Sequence, residues 1–422
     1  MYKLKFTLKQ HTPLIHFQHN QEGATLRASE VKPRFDRFIF EKLGHGNYVA
    51  GSDYANSKKW LIKGAENPAL DYKLIFKDDD PRPIALRSFD NIKLISDILI
   101  DKKAISSNDI RVTLFSYNTE LREKVTELLP EFFLINNFGT RQSKAWGSYY
   151  HESHSNWDLI KQSLLTTGLP IYIFGELISK TDRETNKSNF YPKISKKWRI
   201  LKSGVNLKFD GGATEYKKSL LFKYMCSNGF RWDKRWMKQR INEMILDNVL
   251  PQSLEGTTAP NDCYTNITPC DTSNTTNSWI DDQNLNYSYR FGRAMLGLPE
   301  HIEFRANNNY IYQINVKNNY GINRFKSPVV FKLFENKLFA IARHPLEMMN
   351  QEFEFEVQKK KKPYGGKPVN EGDAIKILNN DSDPYTLKSP HDINEFNIEI
   401  FLNDYFSCIG FQRLTATNLT NL

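Results

Sequence analysis

Hydrophobic periodicity changes in a fixed order over the first 150 residues, and that order leaves few architectures open. Tyr2, Leu4, Phe6 and Leu8 alternate with Lys3, Lys5, Thr7 and Lys9, the period-two pattern of a strand, predicted to run over 2–17. A helix follows through Leu43, with Ser29 as N-cap, Pro33 in the first turn and Val31, Phe35, Phe38 and Ile39 as its buried stripe. Gly44 ends it. Strands are predicted at 72–77 and 84–88, joined through Asp78-Asp79-Asp80-Pro81, and at 111–117, where Val112, Leu114 and Ser116 share a side. A second helix covers 118–133, capped by Thr119 and closed by Pro130, with Leu121, Val125, Leu128 and Leu129 on its apolar face. Strand, helix, paired strands, strand, helix and then a glycine loop is an α+β order of the split-βαβ kind. The excess of antiparallel pairs disfavours a doubly wound parallel sheet.

The loop lies within 134–150. Gly139 and Gly147 bracket Arg141 and Lys144, and glycine lets backbone approach a ligand closely or take positive φ. Two cations, open amides and the rings of Trp146, Tyr149 and Tyr150 suit a sugar-phosphate chain with stackable bases. The same residues also suit a helix-to-strand turn whose charges face water. Arg27, Lys32, Arg34 and Arg37 crowd the N-terminal half of the first helix, where the macrodipole disfavours cations, so a bound anion would relieve the conflict. Across 422 residues, 58 Lys plus Arg stand against 48 Asp plus Glu; the net +10 favours a polyanionic partner.

The length allows two or three domains. Leu169 opens a second unit. Residues 216–250 read as helices split near Gly229, with Arg231, Lys234, Arg235, Lys238 and Arg240 beside Trp232 and Trp236 on a face that could bind phosphates but is expected to be merely solvated. Residues 253–278 read as a flexible loop. Strands follow at 310–316, 329–334 and 338–342, the last two a hairpin, then a basic loop at 358–367 and a final strand within 392–404. Cys226, Cys263, Cys270 and Cys408 form no C-x-x-C pair, which argues against a zinc ribbon or a disulfide framework and fits a reducing cytoplasm. The first strand lacks the apolar core of a signal peptide, and no apolar run is long enough to span a membrane. P-loop, dinucleotide, H-E-x-x-H and G-x-S-x-G motifs are absent. His151 and His154 have no identifiable third partner for a metal. His16 and His19 suit acid–base cleavage of RNA, or simply a polar strand end.

Three ordered stretches add to this reading. Pro13-Leu14 ends a strand before Leu26-Arg27-Ala28-Ser29-Glu30-Val31-Lys32 opens a helix; Phe138-Gly139 to Gly147-Ser148 forms the glycine loop; Arg324-Phe325-Lys326-Ser327-Pro328 follows Gly297-Leu298-Pro299. Together they resemble the RAMP superfamily of CRISPR-associated RNA-binding proteins, and within it the first RAMP subunits of Cmr (type III-B) effector complexes. The resemblance implies tandem ferredoxin-like (RRM-like) RAMP domains with a helical and loop insertion. Residues 1–167 would carry the glycine loop, and 168–422 the helical segment 216–250 and the loop 253–278. It implies a cytoplasmic, non-catalytic, RNA-binding subunit in antiviral defence, without cofactor or metal. Such a subunit holds crRNA and target RNA near the 3′ end of the guide, beside other RAMP subunits. Arg27, Lys32, Arg34, Arg141 and Lys144 would contact phosphates, Gly139 and Gly147 would shape the loop, and Arg324 and Lys326 would reach the RNA from the second half. The alternative is a metal-independent RAMP endoribonuclease that processes precursor crRNA through His16 or His19.

Overall fold

The computed structural model describes residues 2–16, 25–85, 103–176, 190–208, 214–246, 288–298, 301–305, 310–318, 325–361, 375–377 and 385–419. They belong to two compact units, one comprising Met1–Ile194, Val330–Ile341 and Phe411–Leu422, the other Ser195–Val329 and Ala342–Gly410.

In the first unit β1 (Tyr2–Gln10) is the alternating strand, with Phe6 and Leu8 buried and Lys3, Lys5 and Lys9 exposed. It is shorter than predicted: Leu14 makes an isolated bridge to Ile105 instead of extending it. Helix α1 (Ala28–Leu43) starts after Arg27, which is extended and gives no side-chain cap, so Ser29 lies inside the first turn. Val31, Phe35, Phe38 and Ile39 are buried as expected, and Pro33 sits within the helix on an exposed position. Gly44 is required for close approach rather than for a left-handed turn. Its φ is −95°, and a Cβ there would strike the backbone of Asn47 and Gly51 at the entry to α2 (Tyr48–Ser57).

Next come β2 (Lys73–Asp78), β3 (Arg82–Ala85), β4 (Lys103–Ser106) and β5 (Asp109–Ser116). β2 pairs with β5 and β3 with β4, so the strands on either side of the acidic turn are not partners. Helix α3 (Thr119–Ile135) is capped by Asn118, not Thr119: its side-chain oxygen accepts from the Leu121 N–H at 2.9 Å. Pro130 does not close it. A mid-helix proline costs roughly 3 kcal/mol, but Phe132, Phe133, Leu134 and Ile135 beyond it are all buried. Each such side chain contributes roughly 1.5–3 kcal/mol, and packing wins. β6 (Tyr149–His151) completes an antiparallel sheet in the order β2-β5-β1-β6, which in chain order is second, third, first, fourth. The apolar stripes of α1 and α3 share one core with Phe6, Leu8, Val112 and Leu114, and the rings of Phe35 and Phe132 stand 4.7 Å apart.

Helix α4 (Trp157–Thr166) leads to β7 (Ile171–Phe174). The insertion that follows holds β8 (Val205–Lys208), β9 (Thr214–Lys217), β10 (Arg231–Trp232), β11 (Tyr289–Arg290), β12 (His301–Arg305) and β13 (Tyr310–Asn318). β14 (Val329–Phe334) and β15 (Lys337–Ala342) are adjacent strands turning at Glu335, whose φ is 49°. β16 (Glu352–Lys361), β17 (Ile375–Ile377), β18 (Thr386–Lys388) and β19 (Phe411–Arg413) close the chain. The order β14-β15-β7-β19 is again second, third, first, fourth. The fold is α+β with two ferredoxin-like sheets in tandem.

Several features of the second unit differ from expectation. Trp232 and Trp236 are buried, and Asp233, 0% exposed, accepts from Arg293 Nε at 2.7 Å, so the helix Asp233–Leu246 is anchored rather than merely solvated. Residues 358–361 continue β16 instead of looping. The predicted last strand is the helix Ile398–Tyr405, capped by Asn397. Ile398, Phe401, Leu402 and Tyr405 are buried and Ile400 is exposed, a helical spacing that the alternation of Phe396, Ile398 and Ile400 concealed. Cys226 is a buried free thiol and Cys408 is disulfide-bonded, so lack of close cysteine pairs did not exclude a bridge. The expected loop at 253–278 lies outside the described residues.

Candidate nucleic-acid interface

Helix α3 ends by delivering two asparagines to the glycine loop. Asn137 is 1% exposed. Its Nδ2 donates to the carbonyls of Gln142 (2.7 Å) and Phe331 (2.8 Å), and its Oδ1 accepts from Ser148 Oγ (2.8 Å). One side chain therefore ties both arms of the loop to β14. Phe138 N–H donates to Gly147 O at 3.0 Å, Gly147 N–H to Pro13 O at 2.9 Å, and Ser148 N–H to Thr12 Oγ1 at 2.8 Å. Gly139 and Gly147 have φ of +75° and +66°, and Cβ atoms there would fall on the carbonyls of Ile15 and Phe138. Both glycines admit the protein's own backbone.

Between them Arg141 (φ 58°) and Ala145 (φ 63°) are left-handed without being glycine, at about 1–2 kcal/mol each. Strain of this sort persists where the surroundings over-determine it, and it gathers at functional sites. Residues 140–144 are half-buried and 145–150 are buried, so the first arm is the one offered to a ligand. Burial lowers the pKa of Arg141, but a guanidinium remains charged.

The mouth of α1 meets this arm. Glu30 Oε1 accepts the Gly139 N–H at 2.7 Å. Arg34 donates to Asn137 O (2.9 Å) and Asn136 Oδ1 (3.3 Å), its guanidinium 4.6 Å from the Phe138 ring centroid. Arg27, the residue before α1, makes no side-chain hydrogen bond or ion pair among the described residues. Lys144 N–H donates to Arg141 O at 2.8 Å, and Lys144 bridges to Phe331. The backbones of Arg141 and Lys144 and the side chain of Arg34 thus belong to one hydrogen-bonded assembly, to which Arg27 is joined, among the described residues, only through its carbonyl, which accepts the Glu30 N–H at 3.1 Å.

Other candidates are placed differently. Lys32 turns inward: Nζ donates to Asp36 Oδ2 (2.6 Å) and Leu70 O (2.9 Å), 4.5 Å from the Tyr72 ring centroid. Burial raises the Asp36 pKa against the pull of Lys32. Asp36 and Glu41, paired at i,i+4 with Lys32 and Arg37, answer part of the cation crowding on α1 within the helix itself. Arg34 is a clamp on the loop rather than an outward-facing cation. The aromatic expectation fails outright, because Trp146, Tyr149 and Tyr150 are each 1% exposed. Trp146 stacks on Tyr191 at 3.9 Å, Tyr149 Oη accepts from Gln10 Nε2, and Tyr150 Oη donates to Leu333 O. They form the floor of the loop. Lys326 is exposed and His16 half-buried, while Arg324 and His19 lie outside the described residues. His154 is buried, and burial, with lesser repulsion from His151 and Lys332, lowers its pKa to about 4.

Glu30, Asn137, Ser148 and Lys332 were not singled out from sequence. Lys332 is 0% exposed and donates to the carbonyls of Phe133 (2.9 Å) and Asn136 (2.6 Å), a cation at the negative end of α3. The pair Asn136-Asn137 at a helix end was a visible signal, since asparagine competes for backbone groups there. A lysine inside Val-Val-Phe-Lys-Leu-Phe gave none.

A ferredoxin-like strand order used twice in one chain, with a glycine loop leading into the fourth strand of the first sheet, defines an α+β protein of the RAMP class. The chain belongs to the Cmr1 family: residues 1–205 match the Cmr1 N-terminal domain and residues 216–417 the Cmr1 C-terminal domain. Among solved structures it is similar to the crystal structure of Cmr1 from Pyrococcus furiosus in its apo form, at 16% identity over 47% of this chain and 73% of that one, with a TM-score of 0.34. No curated protein matches it. Family membership makes the chain a type III-B CRISPR effector subunit. No described helix is long and apolar enough to cross a membrane.

Proposed function

We propose that this chain is a non-catalytic RNA-binding subunit that holds crRNA and target RNA near the 3′ end of the guide, working in the cytoplasm beside other RAMP subunits. The observation that carries the reading is the bond from Gly139 N–H to Glu30 Oε1, which couples the α1 mouth, with Arg27, to the loop arm bearing Arg141 and Lys144. Cations held on the loop arm and at the start of α1 suit phosphates, which position a strand without reading its sequence. The strand order repeated after residue 168 favours a second RAMP fold beginning there, although both sheets fall almost wholly within the first compact unit. Arg324 and Lys326 are proposed as further phosphate ligands.

The test is fluorescence anisotropy with single-stranded guide RNA over a range of salt concentrations. The triple variant Arg27→Ala, Arg141→Ala, Lys144→Ala is expected to bind more weakly, its log–log salt slope shallower by about 0.7 for each phosphate no longer neutralised, roughly 2 in all. An unchanged slope overturns the reading. Metal-free incubation with repeat RNA is expected to leave it intact; site-specific cleavage abolished by His16→Ala or His19→Ala would make the chain an endoribonuclease instead.

A further inference from the structure

The face of the first sheet opposite α1 and α3 carries a pattern of its own. Lys3, Phe115 and Lys73 stand in one row across β1, β5 and β2, and Lys5, Thr113 and Ile75 in the next. Adjacent strands lie about 4.8 Å apart, so the rows present rings and ammonium groups at the spacing of a few nucleotides. Phe115 is half-exposed, with the Lys3 ammonium 5.5 Å from its ring centroid. Tyr117, just past β5, is 78% exposed, and Ile75 is 53% exposed. With Lys73 and Asp71 they line a cleft of about 230 Å³. That is below the roughly 300–1,000 Å³ of sites for drug-sized ligands, and of a size for one flat ring.

Charge is distributed unevenly along this face. At one end Asp79 pairs with both Lys77 and Arg111. At the cleft end Lys3, Lys5 and Lys73 make no ion pair among the described residues, although Asp71 lies close by. Water hydrates the ammonium groups well but leaves the apolar ring faces unsatisfied, and the lysines have no ion-pair partner among the described residues. Single-stranded nucleic acid supplies what both lack, base faces for the rings and phosphates for the lysines, as on the sheets of RRM domains, where aromatics stack about two or three bases. An acidic peptide would satisfy the lysines and leave the rings wet.

We infer that this sheet face is a second single-stranded RNA site, separate from the glycine loop, in which Phe115 and Tyr117 stack on bases and Lys3, Lys5 and Lys73 contact phosphates. The test uses the full chain and a 12-nucleotide oligouridine, titrated by anisotropy at several salt concentrations, with and without Arg141→Ala and Lys144→Ala. Tyr117→Ala, at a position too exposed to support folding, is expected to weaken binding roughly 5- to 100-fold. Lys3→Gln, Lys5→Gln and Lys73→Gln together are expected to lower the salt slope by about 0.7 for each phosphate set free. Unchanged affinity in the first and unchanged slope in the second overturn the proposal and assign the face to a protein partner. If the sheet variants lose RNA while the loop variants keep it, this site stands and the glycine-loop reading fails.

Discussion

Lys332 is the most exacting place to test how the loop is held. Its ammonium is enclosed and donates to Phe133 O and Asn136 O, at the end of α3 and one residue before the asparagine that braces the loop. Hydrogen bonds to a charged group contribute roughly 1.5–3 kcal/mol each. Replacing a whole buried ion pair with apolar groups can be neutral, but here the acceptors are main-chain carbonyls that no single substitution removes. Lys332→Ala strands both acceptors and leaves a void, a loss of about 3–5 kcal/mol. At roughly 2–4 °C per kcal/mol for domains of this size, Tm should fall roughly 6–20 °C. Thermal melts by near-ultraviolet circular dichroism read this, with Lys332→Met as the informative companion: it restores most of the volume but no donor. Methionine should therefore recover only the cavity part of the loss. A Met variant as stable as the parent would refute the claim that the ammonium joins α3 to β14.

Gly147→Ala should cost more stability than the about 1–2 kcal/mol of a left-handed alanine and lower Tm accordingly, because its Cβ falls on the Phe138 carbonyl; a melt matching the parent would contradict the geometry. Glu30→Ala separates charge from architecture by sign. Removing a carboxylate near RNA should tighten binding if only charge matters, whereas losing the anchor on Gly139 should weaken it, and weaker binding by anisotropy is the expected result. His154 protonates near pH 4 when folded and near 6.5 when unfolded. Between those values only the unfolded chain takes the proton, so stability should drop as pH falls from about 6.5 toward 4, and His154→Gln should flatten that part of a pH–Tm curve.

Much of the first unit was legible because its elements are half-buried and therefore patterned. β1 and β5 display their alternation directly, and α1 shows its stripe at Val31, Phe35, Phe38 and Ile39. Errors arose where a local rule met a tertiary force. Pro130 should have ended α3, and four buried residues beyond it kept the helix running. Asp392 to Asp404 seemed to alternate because buried Phe396, just before the helix, and buried Ile398, at its start, are followed two residues on by Ile400, which is apolar but faces outward. β2 and β3 look like a hairpin across Asp78-Asp79-Asp80-Pro81, but which strand each one meets is decided by partners far along the chain.

The site was legible by position and misread by role. Gly139 and Gly147 looked like room for a ligand; the space they leave is filled by Ile15 and Phe138 of the same chain. Trp146, Tyr149 and Tyr150 looked like stacking platforms, yet residue type cannot separate a ring meant for a base from a ring meant for a core, and in a chain with 13% aromatic residues most must be core. What separates them is register. Phe115 lies opposite Lys3 and Lys73 on the uncovered side of the sheet, a fact visible only once β1, β5 and β2 are aligned. The loop's cations divide by the same standard: Lys32 has a carboxylate 2.6 Å away and is structural, whereas Arg27 has none among the described residues and is the better candidate for a phosphate.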